Sequence, residues 1–125
     1  MKEVFITAGA PKPIVPLSHA VRANGFVFVC GMVSRDPATG KVIHSDIRSQ
    51  TERMLENVKA ALTAAGSTLD KAVRATCYLK NAEDFDGFNE VYGRYFPKDP
   101  PARACLKVDF VLPGVLVEIE VTALA

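Results

Sequence analysis

The chain lacks tryptophan and has only three cysteines and two histidines among its 125 residues. Three cysteines, an odd number without Cys-x-x-Cys spacing, favour a reducing compartment and argue against both a disulfide framework and a zinc site. Neither His19 nor His44 has a second histidine or a carboxylate at metal-ligand spacing. The sequence therefore predicts no metal site.

The chain also lacks a charge imbalance and a long apolar run. Its formal net charge is +1, and no basic cluster is interleaved with aromatic residues, so neither a nucleic acid nor a membrane is expected as a partner. The first residues contain no apolar core typical of a signal peptide, and no apolar run approaches membrane-spanning length. We expect a cytoplasmic protein with one domain over residues 1–125.

The first part of the chain reads as short strands. Residues 4–6 predict a strand, and 10–16, with three prolines, predict an extended loop. Asn24-Gly25 predicts a tight hairpin turn between strands at 18–23 and 26–30, because both residues tolerate positive φ. The strand at 26–30 is apolar on both faces, so we expect both faces to be covered.

The middle of the chain changes to a helical period. Apolar residues recur at helical spacing over 46–65, with Ser45 or Asp46 as N-cap and Gly66 as the stop. Residues 72–79 alternate as in a strand, and the side chains predicted to face the core are Val73, Ala75, Cys77 and Leu79. Cys77 is thus predicted to be a packed core thiol.

A second helix is predicted to begin at Asp84 and to end before Pro97. Its aromatic stripe, Phe85, Phe88, Tyr92, Tyr95 and Phe96, predicts a core-facing surface. Residues 103–111 and 115–123 then predict a pair of strands around 112–114. Together these elements predict an α+β fold with two helices on one face of a six-stranded sheet. The strands at 26–30 and 115–121 look too apolar for their other face to meet water, so we expect an obligate oligomer.

Three polar side chains stand out in the otherwise apolar last quarter of the chain: Arg103, Cys105 and Glu118. Arg103 and Cys105 are two residues apart in a strand and therefore share a face. Arg103 follows Pro100-Pro101, a rigid extended entry, and two alternatives remain for it. It holds a carboxylate or phosphate bidentately, or it forms a structural ion pair.

The turn at 112–114 decides on which face Glu118 lies. A three-residue loop would place Glu118 on the sheet face opposite Arg103 and Cys105, whereas a bulge or another loop length would reverse the parity. We predict the bulge or the other loop length, with Arg103 and Glu118 at different ends of one cleft.

Several stretches resemble the RidA (YjgF/YER057c) family of enamine/imine deaminases. The motifs are Pro101-Ala102-Arg103-Ala104-Cys105, Leu112-Pro113 with Val117-Glu118-Ile119-Glu120, the run Phe88-Asn89-Glu90-Val91-Tyr92 and the turn Asp36-Pro37-Ala38-Thr39-Gly40. The resemblance implies a chorismate-mutase-like α+β fold and a homotrimer with clefts between subunits. It also implies hydrolysis of reactive enamines and imines, such as 2-aminoacrylate, to a keto acid and ammonia, without a cofactor.

By position, the resemblance assigns Arg103 to the substrate carboxylate, Cys105 to the wall around the reacting carbon and Glu118 to proton transfer with water. It assigns backbone groups to Gly31 and part of the cleft surface to Asn89. Cys105 is either chemical or only a wall, and the latter is favoured.

Three positions depart from the family pattern. Leu17 replaces the tyrosine that usually closes over the ligand, Cys30 replaces a common serine, and His19 replaces a common glutamine. These changes suggest another substrate, such as a longer unsaturated amino acid. Two other functions remain open: a non-catalytic protein that binds small acids in the same cleft, and a ribonuclease, against which the near-neutral charge argues.

Overall fold

A computed structural model describes residues 1–125 as one mixed sheet with two helices packed against it. This arrangement confirms the predicted α+β fold. The elements in chain order are β1 Glu3–Phe5, β2 Ala20–Ala23, β3 Phe26–Met32, α1 Ile47–Ala64, β4 Ala72–Leu79, α2 Phe85–Tyr95, β5 Ala102–Lys107 and β6 Val117–Leu124. Neither helix combines the length and the apolarity that crossing a membrane requires.

The strand order β1-β2-β3-β6-β4-β5 places β6 inside the sheet and β5 at its edge. The predicted hairpin between 103–111 and 115–123 is therefore wrong. β5 pairs in parallel with β4, whereas β6 pairs antiparallel with both β3 and β4. The reason lies in α2, which connects β4 to β5 as a crossover and so delivers a parallel neighbour.

The two helices begin and end close to their predicted positions. Asp46 caps α1, and its carboxylate accepts a hydrogen bond from the Ser49 N–H at 2.8 Å. Gly66, with φ +80°, follows the C-cap residue. Asp84 occupies the N-cap position of α2 but makes no capping side-chain bond, because a 3₁₀ turn over Ala82–Asp84 precedes the helix.

β4 departs from regular alternation at its start. Ala75, Cys77 and Leu79 face the core as predicted, with exposures of 0%, 0% and 3%. Val73 is 39% exposed, so its predicted core position is wrong. The register between β4 and β6 shifts between Ala72 and Arg74, and this bulge turns Val73 away from the core.

The helices cover one face of the sheet, and the other face is open. β3 is apolar on both faces as predicted: Val27 and Val29 are buried, whereas Phe26 and Phe28 are 36% and 46% exposed. The same prediction for 115–121 is wrong, because β6 alternates. Its buried residues are Val117, Ile119, Val121 and Ala123, and Glu118, Glu120 and Thr122 point to the open face.

Candidate active site

Arg103 lies near the start of the edge strand β5, on the side of the sheet that the helices cover. In the β4–β5 register it stands beside Ala75, which is fully buried. Its Nη1 donates to Asn89 Oδ1 at 2.8 Å. The guanidinium carbon is 4.8 Å from the centroid of the Tyr92 ring and 5.5 Å from that of Phe88. An amide and two aromatic faces from α2 thus hold the guanidinium in place.

No carboxylate of the chain pairs with Arg103. The two ion pairs both involve Glu90, whose partners are Arg48 and Arg94. The structural ion pair considered for Arg103 is therefore not formed within the chain. A guanidinium has five N–H donors in a fork, and only one hydrogen bond, the one to Asn89, uses them here. The others can receive a carboxylate.

Cys105 stands beside Cys77 on adjacent strands, and both thiols are free. Burial raises the pKa of Cys77 to about 12, and Cys77 is fully buried, as predicted for a core thiol. Burial also raises the pKa of Cys105, although the charge of Arg103 opposes the shift. Both thiols are therefore protonated at neutral pH, which favours a wall over a nucleophile for Cys105.

Tyr92 is a site neighbour that the sequence reasoning placed only in the core stripe. It is 6% exposed, and its hydroxyl is buried without a hydrogen-bond partner. Burial raises its pKa to about 12. The sequence could have indicated this position, because Tyr92 lies three residues after Asn89 and therefore on the same face of α2.

Glu118 lies on the open face of the sheet, opposite Tyr78 of β4. The β3–β6 register shifts between Val29 and Met32, so β3 bulges at Cys30 and Gly31, opposite Glu120. A Cβ atom added to Gly31 would fall 3.2 Å from Glu118 Cδ and closer still to Oε2. The absence of a side chain at Gly31 thus leaves room for the carboxylate.

The surroundings of Glu118 favour its protonated form. Burial raises its pKa most, the charge of Glu120 adds to this, and Arg35 opposes it. Burial and the charge of Glu118 also raise the pKa of the neighbouring Cys30 to about 11. The sequence reasoning missed Arg35, whose Nη1 donates to the Gly40 carbonyl at 2.7 Å. Arg35 lies in a turn, and no sequence pattern there indicated that it would come near Glu118.

Leu17 lies in the irregular segment before β2 and is 45% exposed. Two residues later, the carbonyl of His19 accepts the Cys30 N–H at 2.9 Å, which brings this segment to the Cys30 end of β3. The His19 Nδ1 accepts the Thr7 N–H at 2.9 Å, and burial lowers its pKa. His19 therefore has a structural role in the chain, and Leu17 lies two residues before its backbone contact with Cys30.

The structure divides the predicted site residues into two half-sites. Arg103, Cys105 and Asn89 form the arginine half-site on the helix-covered face of the sheet. Glu118, Gly31 and Cys30 form the glutamate half-site on the open face, with Leu17 near one end. The prediction of a turn that places Glu118 on the same sheet face as Arg103 and Cys105 is wrong, because a sheet layer separates Arg103 from Glu118.

A cavity of about 340 Å³ adjoins Glu118 on the open face. Its walls come from Val33, Tyr78, Val115 and the connection 108–112, and seven of its nine lining residues are hydrophobic. No three His, Cys, Asp or Glu side chains come together as a metal site would need. The chemistry available here is that of a carboxylate beside an apolar cavity.

Replacing Gly31 by alanine is expected to lower activity while the fold persists. The new Cβ would occupy the place of the Glu118 carboxylate, which can move because it ends a flexible side chain. A displacement of about 1 Å costs on the order of 100-fold in rate. The measurement is kcat/KM with the melting temperature. The control is Gly93→Ala, since a Cβ at Gly93 meets nothing within 4 Å. Equal activity of both variants would contradict this reading.

Comparisons with known proteins agree in one family. The Endoribonuclease L-PSP family profile matches residues 7–125. A RutC family protein of Pyrococcus horikoshii is 46% identical over 123 residues, with 98% of each chain covered. Reactive Intermediate Deaminase A, chloroplastic, of Arabidopsis thaliana is 37% identical, with 98% of this chain and 65% of the relative covered. The crystal structure of E. coli TdcF with bound serine has a TM-score of 0.90 and 32% identity, with 98% of both chains covered.

The match to the profile extends over nearly all of the chain, and the fold agrees with that of the solved relative throughout. The chain therefore belongs to the Endoribonuclease L-PSP family, also called the YjgF/RidA family, which includes reactive intermediate deaminases.

Proposed function

We propose that this protein hydrolyses 2-imino and 2-enamine acids to 2-keto acids and ammonia. The reaction takes place between subunits of a homotrimer, where the arginine half-site of one subunit faces the glutamate half-site of its neighbour. The observation that carries this proposal is Arg103, a fixed guanidinium with free donors and no carboxylate partner in its own chain.

Binding begins with the substrate carboxylate. Arg103 accommodates it through two parallel charged hydrogen bonds, a geometry that only a guanidinium fork provides. Asn89 and the Tyr92 ring restrict the rotation of the guanidinium, so less conformational entropy is lost when the ligand binds. The imine carbon is then held at a fixed distance from the clamp, beside Cys105.

Hydrolysis needs a proton acceptor for water and a donor for nitrogen. Glu118 of the neighbouring subunit takes a proton from water while the oxygen adds to the imine carbon. Glu118 returns this proton to the nitrogen, which gives the carbinolamine. The hydroxyl proton of the carbinolamine then passes through Glu118 to the amine, the C–N bond breaks, and the keto acid and ammonia leave. A 2-enamine acid enters this sequence after its β-carbon gains a proton and its N–H loses one, which gives the imine. Because the pKa of Glu118 is raised, its carboxylate is a stronger base than that of a solvated glutamate, and its protonated form persists to higher pH.

The open face of the sheet supports assembly from more than one chain. Phe26, Phe28 and Leu124 leave an apolar surface on neighbouring strands, with exposures of 36%, 46% and 46%. Contiguous apolar surface of this kind marks an interface. A neighbouring subunit also brings the two half-sites together, because the arginine half-site of one subunit then meets the glutamate half-site of the next.

Relatives support the same reaction class. One carries the name reactive intermediate deaminase, and TdcF binds serine, an amino acid whose carboxylate resembles that of the proposed substrate. The mechanism needs no cofactor, because the substrate supplies the imine and the leaving ammonia.

Mixing two inactive variants tests the shared site. Arg103→Ala and Glu118→Gln subunits are unfolded and refolded together in equal amounts, and ammonia release is measured with imines generated by an amino acid oxidase. Each intact site then needs one subunit of each kind, so random assembly restores about one quarter of the wild-type activity. Each variant refolded alone is the control. A mixture no more active than its components, or a wild type without activity, would contradict the proposal.

A further inference from the structure

The cavity beside Glu118 has no role in the reaction as described so far. Apart from Asp109 and Glu118, its lining residues are uncharged. The hydroxyl of Tyr78 donates to Glu120 at 2.6 Å. The only polar atom of the Tyr78 side chain is therefore already hydrogen-bonded. The cavity thus offers carboxylates at Glu118 and Asp109 and hydrophobic walls elsewhere.

Its outer wall is the connection after β5. The Val108 N–H donates to the Leu79 carbonyl at 2.9 Å, which extends the β4–β5 ladder beyond Lys107. By strand alternation, Val108 shares the open face with Tyr78 and Leu106. Phe110 and Leu112 continue this wall, while Val33 and Val115 close the inner end and are 6% and 1% exposed.

A substrate bound at Glu118 must place its side chain either in this cavity or in water. Its imine carbon carries three groups: the nitrogen, the carboxylate and the side chain. The carboxylate is taken by Arg103 and the reacting carbon stands by Glu118, so the side chain is the group left to enter the cavity. A volume of about 340 Å³ falls within the range of small-ligand sites and exceeds what a methyl group fills.

We propose that this cavity is a side-chain pocket that selects 2-imino acids with branched or long aliphatic side chains over those with one or two carbons. This inference rests on the proposed function and adds the substrate class. A charged side chain loses hydration there without gaining a partner, whereas each buried methylene adds favourable apolar burial. The imine derived from leucine fits this description, and that derived from alanine does not.

The test compares the imines formed from leucine and from alanine by an amino acid oxidase, with keto acid release followed in competition with a trapping amine. Wild type is expected to show kcat/KM at least about tenfold higher for the leucine imine, since one methylene in an apolar pocket is worth 10- to 200-fold.

Val108→Phe fills the cavity and is expected to remove most of that preference, because the leucine side chain then has no room to enter. Leu106→Phe is the matched control, since Leu106 lies two residues before Val108, near the end of β5 and on the same face, but does not line the cavity. It should keep the wild-type preference.

The ratio of kcat/KM for the leucine and alanine imines in wild type tests the proposal even if Val108→Phe fails to fold. Hydrolysis of both imines at equal kcat/KM would overturn the pocket and leave the proposed function standing. Hydrolysis of neither imine would overturn the proposed function and the pocket with it.

Discussion

Arg103→Ala is expected to lower kcat/KM for every carboxylate-bearing imine by about 30- to several-thousand-fold. This range corresponds to the 2–5 kcal/mol that truncating one partner of a desolvated charged pair typically costs. Arg103→Lys keeps the charge but loses the fork, so it should recover only part of the loss. The measurement is keto acid release by wild type and both variants.

Arg94→Ala is the control for a lost surface charge. Arg94 lies on α2 and pairs only with the exposed Glu90, so its loss should leave kcat/KM unchanged. Arg103→Ala should remain assembled, because the proposed contact between subunits uses the apolar open face and not this side chain. An Arg103→Ala protein that stays assembled and fully active would refute the carboxylate clamp.

Glu118→Gln is expected to lower kcat by about 100- to 10,000-fold, the range for losing a positioned proton-transfer group. As a base, Glu118 must be ionised, and its pKa is raised by burial and by Glu120. In wild type, kcat/KM should therefore fall as the pH decreases through a value above 4.5, the ordinary pKa of glutamate. The residual activity of Glu118→Gln should lack this fall.

Glu120→Gln tests the cause of the shift. Removing the charge of Glu120 should move the fall in kcat/KM to lower pH, because that charge raises the pKa of Glu118. The amide can still accept the Tyr78 hydroxyl, so the local geometry is kept. An unchanged profile in both variants would show that another group limits the rate at low pH.

The same shift has a consequence for stability. A carboxyl group whose pKa is higher in the folded state than in the unfolded state opposes folding once it is ionised. Glu118→Gln should therefore melt at a higher temperature than wild type at neutral pH. The difference in melting temperature should vanish below about pH 4.5, where the Glu118 carboxyl group is neutral in both the folded and the unfolded state.

Local patterns predicted most of the elements, because alternation and helical spacing are properties of neighbouring residues. The Asp46 cap, the buried side of β4 from Ala75 onward and the position of Arg103 in a strand all followed from such patterns. The pairing of β5 and β6 did not, since hydrogen-bonding partners between strands depend on the path of the whole chain. The sequence suggested a hairpin because 112–114 resembles a turn.

The candidate site residues were each predicted from the sequence, but the arrangement predicted for them was wrong. The sheet face of Glu118 relative to Arg103 was derived from the predicted hairpin. Because that hairpin does not form, the predicted arrangement of the site was wrong as well. Their true relation depends on β4, where Ala75 and Tyr78 face opposite sides of the sheet. The bulge of β3 at Gly31 and the charge of Arg35 near Glu118 arise only from tertiary contacts.

The central place of β6 also sets the order in which the sheet can form. β3 and β4 are synthesised before β6, and neither has its inner partner until β6 arrives between them. During synthesis, the chain therefore presents two unpaired strand edges, which are templates for pairing with other chains. Glu118, the proposed proton-transfer group, enters on this closing strand, so the glutamate half-site is completed only when the sheet is closed.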